Sequence, residues 1–198
     1  PYTDARFGQS SAISKDGSIV AVGGADKNIV AVYQFSNDTN DWVQMGSLLV
    51  GPSGFSEDDR YGYAVALSDD GLTLAVTELL NDTSLTDAGA LFVYKYINGD
   101  WVQQGSTVYG VTGPARIGGT YGRGMDMNGD GTKIALGASY AFDFDGYAQV
   151  YQWSQASREN PMLDVSGNEL SVWADAESNP ANYRQEVIGS ITESNNYG

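Results

Sequence analysis

The chain has 198 residues, of which 41% are apolar, and it carries a formal net charge of −15 with no His and no Cys. That charge repels phosphate, which argues against nucleic acid and anionic membrane surfaces as partners. Without Cys or His there is no thiol chemistry and no Ser-His catalysis, and the commonest transition-metal ligands are missing. No apolar run of about 18 residues is present, so we expect no membrane insertion.

Three copies of one pattern follow one another along the chain. Each copy opens on an aromatic-Gly pair and reaches the Gly of an Asp-Gly pair ten residues later. The aromatic residues are Phe7, Tyr61 and Tyr121, and the acids are Asp16, Asp70 and Asp130. Asp-Gly supplies the positive φ that a tight hairpin needs, which predicts a hairpin between the first two segments of each copy.

Further short apolar segments follow each hairpin. The third segments are Ile29 to Phe35, Ala90 to Tyr96 and Ala148 to Trp153, with Tyr33, Tyr94 and Tyr151 in register. The phrase Trp-Val-Gln then appears at Trp42 and again at Trp101. Segments of four to eight residues that are rich in Val, Ile and aromatics and bounded by Gly, Asp or Asn are typical of strands.

A fourth, eroded copy is predicted near the end of the chain. Val165 to Trp173 resembles a strand, a turn and a strand, and Tyr183 to Ile188 is interpreted as its third strand. Four antiparallel strands in a repeat of about 55–60 residues describe a propeller blade. We therefore predict an all-β fold, a β-propeller of four-stranded antiparallel blades in one domain, 1–198. Three blades are clear (5–51, 59–110, 119–156) and a degenerate fourth is partial (162–191).

These motifs resemble the FG-GAP repeat of integrin-α-type β-propellers. The resemblance lies in the aromatic-Gly opening, the Ala-x-Ser-x-Asp-Gly turn, the Val-Ala-Val-Gly strand and the Ala-Val-Tyr strand, over roughly residues 5 to 175. The added Trp-Val-Gln-x-Gly is similar to a variant found in secreted surface proteins of marine bacteria and microalgae. The resemblance implies a scaffold or adhesion module located outside the cell or on its surface, with no catalytic residues.

The resemblance also implies a candidate Ca²⁺ site, since hairpins of this family often bind the ion. Asp126, Asn128 and Asp130 match the first half of the family's loop, and the ninth position is Ile134, which cannot ligate. Alternating carboxylate and amide oxygens suit Ca²⁺. The alternative is a polar hairpin whose Asp residues accept from turn amides. No other cofactor is suggested.

Long links between the predicted strands are the expected binding surface, because loops on a rigid scaffold usually carry binding residues. The candidate residues are Phe55, Tyr109, Tyr140, Phe142 and Phe144. The alternative is that these aromatics pack between blades. Two Asn-x-Thr sequons, at Asn37 and Asn81, fall in predicted loops and are candidate glycosylation sites. The chain begins at Pro1 and not at Met, and we interpret it as a processed chain.

Three blades and part of a fourth do not make an ordinary closed ring. The alternatives are a fragment of a longer propeller, a small four-bladed ring, or subunits that complete one another through their terminal segments, Pro1 to Arg6 and Tyr183 to Gly198. The sequence favours an extracellular structural or adhesive module that self-associates into oligomers or filaments. A glycan-binding, lectin-like propeller is the alternative, and a glycoside-active enzyme is the third. Glycans and surface proteins are the other candidate partners.

Overall fold

The computed structural model describes residues 4–54, 58–119, 124–155 and 183–191. They form three antiparallel sheets. The first sheet has β1 (Ser10–Ile13), β2 (Ile19–Gly24), β3 (Ile29–Ser36), β4 (Asp41–Gln44) and β5 (Leu49–Val50). The second has β6 (Tyr61–Leu67), β7 (Thr73–Glu78), β8 (Ala90–Ile97), β9 (Asp100–Gln103) and β10 (Val108–Tyr109). The third has β11 (Met125–Met127), β12 (Lys133–Ala138), β13 (Tyr147–Gln155) and β14 (Tyr183–Ile191).

Within each sheet the strands lie in chain order, as in a propeller blade. The orders are β1-β2-β3-β4, β6-β7-β8-β9 and β11-β12-β13-β14, while β5 and β10 are short second partners of β3 and β8. The register repeats as well, since Val20 faces Tyr33, Leu74 faces Tyr94 and Ile134 faces Tyr151. The all-β, propeller-like arrangement of four-stranded antiparallel units is therefore confirmed for three sheets.

The same hairpin joins the first two strands of all three sheets. An Asp carboxylate accepts the backbone N–H two residues later: Asp16 from Ser18, Asp70 from Leu72 and Asp130 from Thr132. The Gly that follows each Asp has a φ of +75°, +70° or +72°. The predicted positive φ is thus confirmed at the Gly, whereas the Asp contributes an acceptor for turn donors.

We expect Asp70→Ala to lower the free energy of unfolding by about 1 kcal/mol, because the N–H of Leu72 and the hydroxyl of Ser68 both lose their acceptor. Urea denaturation measures the change. Asp70→Asn keeps the accepting oxygen and should recover most of the loss. Equal destabilisation by both substitutions would contradict this role and assign the effect to the charge.

The core lies between successive sheets. We call the face that a sheet turns to the preceding sheet its front face, and the face turned to the following sheet its back face. The equivalent outer faces of the first and third sheets take the same names. One buried cluster joins the back face of the first sheet to the front face of the second, and a second cluster joins the second sheet to the third in the same way. The first cluster contains Ile19, Ala21, Val30, Val32, Leu74, Val76 and Trp101. The second contains Ala75, Leu91, Val93, Ile134, Leu136 and Tyr151.

The fourth blade is where the structure differs from the prediction. Tyr183–Ile191 is the outer strand of the third sheet, paired along its length with β13, and so the interpretation of 183–188 as the third strand of a separate blade is wrong. The physical reason is that the third copy has no Trp-Val-Gln segment to occupy the edge of β13. Residues 162–182 of the predicted fourth blade lie outside the described residues. The part that is described contains three sheets and does not form a closed ring.

Helix is nearly absent from the described part of the chain. It is limited there to a single 3-10 turn, Ala25–Lys27, and no helix in these ranges is long or apolar enough to cross a membrane.

Candidate functional site

The link between β12 and β13, residues 139–146, has an unusual backbone. Phe142, Asp143 and Phe144 have φ values of 52°, 55° and 77°, three successive non-Gly residues in the left-handed region. The N–H of Asp145 donates to the carbonyl of Phe142, and the N–H of Gly146 donates to that of Ala141, which closes the loop on itself. Each left-handed non-Gly residue costs about 1–3 kcal/mol, and clusters of such residues are commonest at functional sites.

The strained backbone exposes aromatic rings. Phe142 is 50% exposed and Phe144 is 74% exposed, the largest exposure among the described large apolar side chains. The Phe144 ring lies 5.2 Å from that of Tyr140, and the Phe142 ring lies 6.0 Å from that of Tyr147. We call Tyr140, Phe142 and Phe144 the aromatic loop. It offers ring faces on which a sugar or an apolar side chain can stack.

A cation completes the aromatic loop on one side. The Cζ atom of Arg116 lies 5.0 Å from the centroid of the Tyr140 ring, within cation–π distance. Asp87 holds the guanidinium in place through an ion pair of 2.5 Å, and the backbone N–H of Arg116 donates to the carbonyl of Asp87. The site therefore combines apolar rings, one oriented cation and a carboxylate.

Links from three parts of the chain meet at this place. Asp87 belongs to the link 79–89, Arg116 to the link 110–119 and Tyr140 to the link 139–146. The link that precedes β6 joins them, since the N–H of Leu80 donates to the carbonyl of Asp59. Their contacts place the long links side by side on the scaffold.

The remaining candidates for binding are Tyr109 and Phe55, and Tyr109 does not join the aromatic loop. Tyr109 lies in β10 opposite Ala90, and its ring packs against the core between the first and second sheets. This position agrees with the alternative given for these aromatics in the sequence analysis, namely packing between blades. Phe55 lies outside the described residues. Arg116 was not among the candidates, because nothing in its local sequence marks an Arg that an acid 29 residues away will orient.

The candidate calcium ligands lie around the third hairpin. Asp126 is exposed on β11, and its carboxylate accepts from the N–H of Met127. Asn128 donates to Asp130, whose pKa is lowered chiefly by the hydrogen bond from the Thr132 side chain. The contact between Asn128 and Asp130 repeats those of Ser14 with Asp16 and Ser68 with Asp70, so it accounts for a polar hairpin without an ion. Within the described ranges no group of three or more acidic side chains is placed to hold a metal, and Ca²⁺ binding stays a prediction.

The two sequons differ in accessibility. Asn37 is exposed in the turn between β3 and β4, where a glycan has room. Asn81 is 3% exposed, and its side-chain nitrogen donates to the Glu78 carboxylate at 2.6 Å. A glycan on that nitrogen would break a buried hydrogen bond, so the structure argues against the prediction at Asn81. The prediction at Asn37 stays a prediction.

Glu78 has the raised pKa expected of a catalytic acid, but its carboxyl is not accessible to a substrate. Burial raises the pKa of its carboxyl to about 7, against the hydrogen bond from Asn81, which lowers it. Its side chain is 0% exposed, however, at the end of β7 between the first and second sheets. A bound sugar cannot reach this carboxyl, so the residue does not supply a general acid.

Comparison with known proteins gives structural neighbours only. No protein-family model matches the chain, and no curated protein does. Similar solved structures include Hsv2 of Kluyveromyces marxianus (11% identity, TM-score 0.49), covering 93% of this chain and 48% of that one. Sqt1 of Saccharomyces cerevisiae is 15% identical, with a TM-score of 0.47 and coverage of 80% and 34%. The β-propeller domain of the Trilobed protease of Pyrococcus furiosus is 11% identical, with a TM-score of 0.37 and coverage of 73% and 40%. The chain thus spans less than half the length of each, and their activities are not transferred to it.

Proposed function

We propose that the chain is a non-catalytic adhesive module, located outside the cell or on its surface, whose aromatic loop contacts the target. The exposure of Phe142 and Phe144 on a left-handed backbone carries the proposal. The left-handed backbone and the exposure of two Phe rings to water are both unfavourable in the isolated chain. A target that covers the rings offsets that cost. The FG-GAP resemblance, with its scaffold and adhesion roles, supports the same proposal.

Glycan binding is the second candidate, favoured by the chemistry around Tyr140. Its ring carries Phe144 on one side and the Arg116 guanidinium on another. A sugar can place its C–H face on the Phe144 ring and its hydroxyls against Arg116 and Asp87. A protein target would instead bury Phe142 and Phe144 together in an apolar pocket.

The test is Phe144→Ala, measured on a panel of immobilised glycans and a panel of immobilised extracellular-matrix proteins. We expect the affinity for the bound partner to fall at least about tenfold, because an exposed aromatic anchor is truncated. The unfolding transition should not move, since the ring is largely in water. Leu85→Ala is the matched control, an exposed apolar residue on a neighbouring link that lies outside the aromatic loop.

The two candidates differ in the class of partner, protein or glycan, that the wild type binds and Phe144→Ala does not. Undiminished binding by Phe144→Ala, or equal losses in Phe144→Ala and Leu85→Ala, would contradict the role of the aromatic loop. Turnover of a bound glycan would contradict the non-catalytic assignment.

A further inference from the structure

The two outer faces of the three-sheet stack are unlike the inner ones in burial. The front face of the second sheet buries Leu74 and Val76 completely, and that of the third buries Ile134 and Leu136 to 2% exposure or less. The equivalent residues of the first sheet, Val20 and Val22, are only half-buried, because neither of the other described sheets packs on this front face. An open groove of about 390 Å³ lies there, lined by Val20, Val22, Tyr33 and Trp42.

Trp42 shows the same asymmetry within the repeated phrase. Trp101 is 7% exposed, and its indole nitrogen donates to the Met45 carbonyl of the preceding sheet at 2.8 Å. Trp42 stands at the equivalent position of the first sheet and is 42% exposed. Ile13, on the neighbouring strand and the same face, is 61% exposed. The first sheet therefore has an apolar front face of the kind that the chain buries twice elsewhere.

The opposite end of the stack supplies the complementary surface. Ala21 and Ala75 are fully buried on the back faces of the first and second sheets. Their equivalent on the third sheet, Ala135, is exposed, and its partner Val150 is only half-buried. Asp126, the partner of Ala135 on β11, and Lys133 are also exposed on this face. Among the described residues, one end of the stack is thus an uncovered front face, and the other end is an uncovered back face.

A series of backbone hydrogen bonds runs across the hairpins, and among the described residues it stops at the first and third sheets. The N–H of Lys15 donates to the carbonyl of Asp69 at 3.0 Å, and the N–H of Asp69 donates to the carbonyl of Gly129 at 2.7 Å. The hairpin glycines lie close to the preceding sheet in the same way. A Cβ on Gly71 would lie within 3 Å of Ile19, and a Cβ on Gly131 within 3 Å of Thr73. At Gly17 a Cβ would meet nothing nearer than Ile13 of its own sheet, at 3.9 Å. The hairpin of the first sheet is therefore ready to receive a preceding sheet.

We propose that two copies of the chain close a six-sheet ring, each placing the front face of its first sheet on the back face of the other's third sheet. The occupant is a second copy because this chain carries both halves of the contact and makes a contact of the same kind twice internally, and only Asp126 and Lys133 add charges to the new one. Six sheets fall within the usual size of closed propellers. A two-fold axis relates the two new contacts, so the assembly is closed and no edge-to-edge polymer forms. In the ring, the N–H of Gly129 meets the carbonyl of the partner's Lys15.

This inference goes beyond the proposed function, and it moves the self-association expected from the sequence to another surface. The terminal segments were the predicted joint, but Tyr183–Ile191 is already paired with β13 inside the chain. The inference does not involve the aromatic loop. A dimer that binds no target would therefore support this inference and contradict the proposed function. A monomer that binds a target through Phe144 would support the proposed function and contradict this inference.

The experiment uses two substitutions at equivalent depths of the two faces, Val20→Glu and Ala135→Arg. Their internal counterparts, Leu74 and Ala21, share one buried cluster. Light scattering of the wild type should give about twice the chain mass of 21.1 kDa. Each variant alone buries an added charge in both contacts of its dimer, and we expect its dissociation constant to rise at least about 100-fold. Leu85→Glu is the control, which should remain dimeric.

Mixing the two variants gives the sharpest outcome. A mixed pair has one contact in which the introduced glutamate of Val20→Glu faces the introduced arginine of Ala135→Arg. Its second contact is wild type, so the mixture should regain the dimer mass. A wild type that is monomeric at every concentration would overturn the proposal. Unfolding of the Val20→Glu chain would also overturn it, since that result would show that Val20 is buried within a single chain. So would filaments, or dimers of Val20→Glu alone, since neither fits a closed head-to-tail pair.

Discussion

Trp101→Ala is expected to lower the free energy of unfolding by about 3–5 kcal/mol, the range for removing a large buried aromatic side chain. The indole fills the contact between the first and second sheets, where a Cβ on Gly46 would lie 2.9 Å from the ring. Its nitrogen also satisfies the carbonyl of Met45. The substitution therefore leaves a cavity and removes a hydrogen bond that joins two sheets.

The chain contains its own matched control. Trp42 occupies the same place in the repeated phrase, is 42% exposed, and makes its edge-on contact with Phe35 of its own sheet at 5.5 Å. At concentrations low enough to separate the proposed dimer, we expect Trp42→Ala to cost less than about 1 kcal/mol. Guanidinium denaturation followed by circular dichroism measures both values. Similar losses at the two positions would contradict the asymmetry between the inner and outer sheets.

A second variant covers the case in which Trp101→Ala does not fold. Trp101→Phe keeps a ring in the contact and loses the donor to Met45, and we expect it to cost about 1–2 kcal/mol. A loss as large as that of the Ala variant would mean that the indole nitrogen, and not the filling of the contact, holds the two sheets together.

The repeated pattern allowed most of the fold to be predicted because the signals of strand and turn are local. Alternation, Asp-Gly pairs and the register of Tyr33, Tyr94 and Tyr151 depend on residues a few positions apart, and the strand pairings follow them. The outer strand of the third sheet could not be predicted in this way. Tyr183–Ile191 pairs with β13 across 27 intervening residues, and no sequence repeat marks that partnership.

The candidate site was predicted in part for a similar reason. Phe142 and Phe144 lie in a long link that is rich in aromatics, and this is why the sequence marks them as candidates for an exposed binding surface. Whether a link residue faces out or in depends on pairing that the link itself does not encode. Tyr109 joins a two-residue strand on β8 and turns into the core, while Arg116 is held at Tyr140 by an acid from another link.

The second large effect is expected at Glu78, whose burial couples folding to pH. Its Oε2 atom accepts from Asn81, and its Oε1 atom is buried with no hydrogen-bond partner among the described residues. Burial is the main cause of the rise in its pKa from 4.5 to about 7, and the charge of Asp59 adds to it. The carboxyl is therefore neutral in the folded chain at pH values where the unfolded chain has already ionised.

The sign of the pH dependence follows from that order. Below about pH 4.5 the group is protonated in both states, and it contributes its full share of stability. As pH rises to about 7, the unfolded state loses its proton first, so the free energy of unfolding falls by about 3 kcal/mol from this group. Above pH 7 the folded chain holds an ionised, buried carboxylate, and the loss is complete.

Glu78→Gln should remove this dependence, because a neutral amide of the same shape does not titrate. We expect the variant to be more stable than the wild type at pH 7.5, and the difference between pH 4.5 and pH 7.5 to shrink by about 3 kcal/mol. Urea denaturation at intervals between these values measures both curves. Asp38→Asn, in an exposed turn, is the control and should leave the wild-type curve unchanged. Parallel curves for the wild type and Glu78→Gln would show that this buried carboxyl is ionised throughout, and that the space between the first two sheets is more polar than its lining indicates.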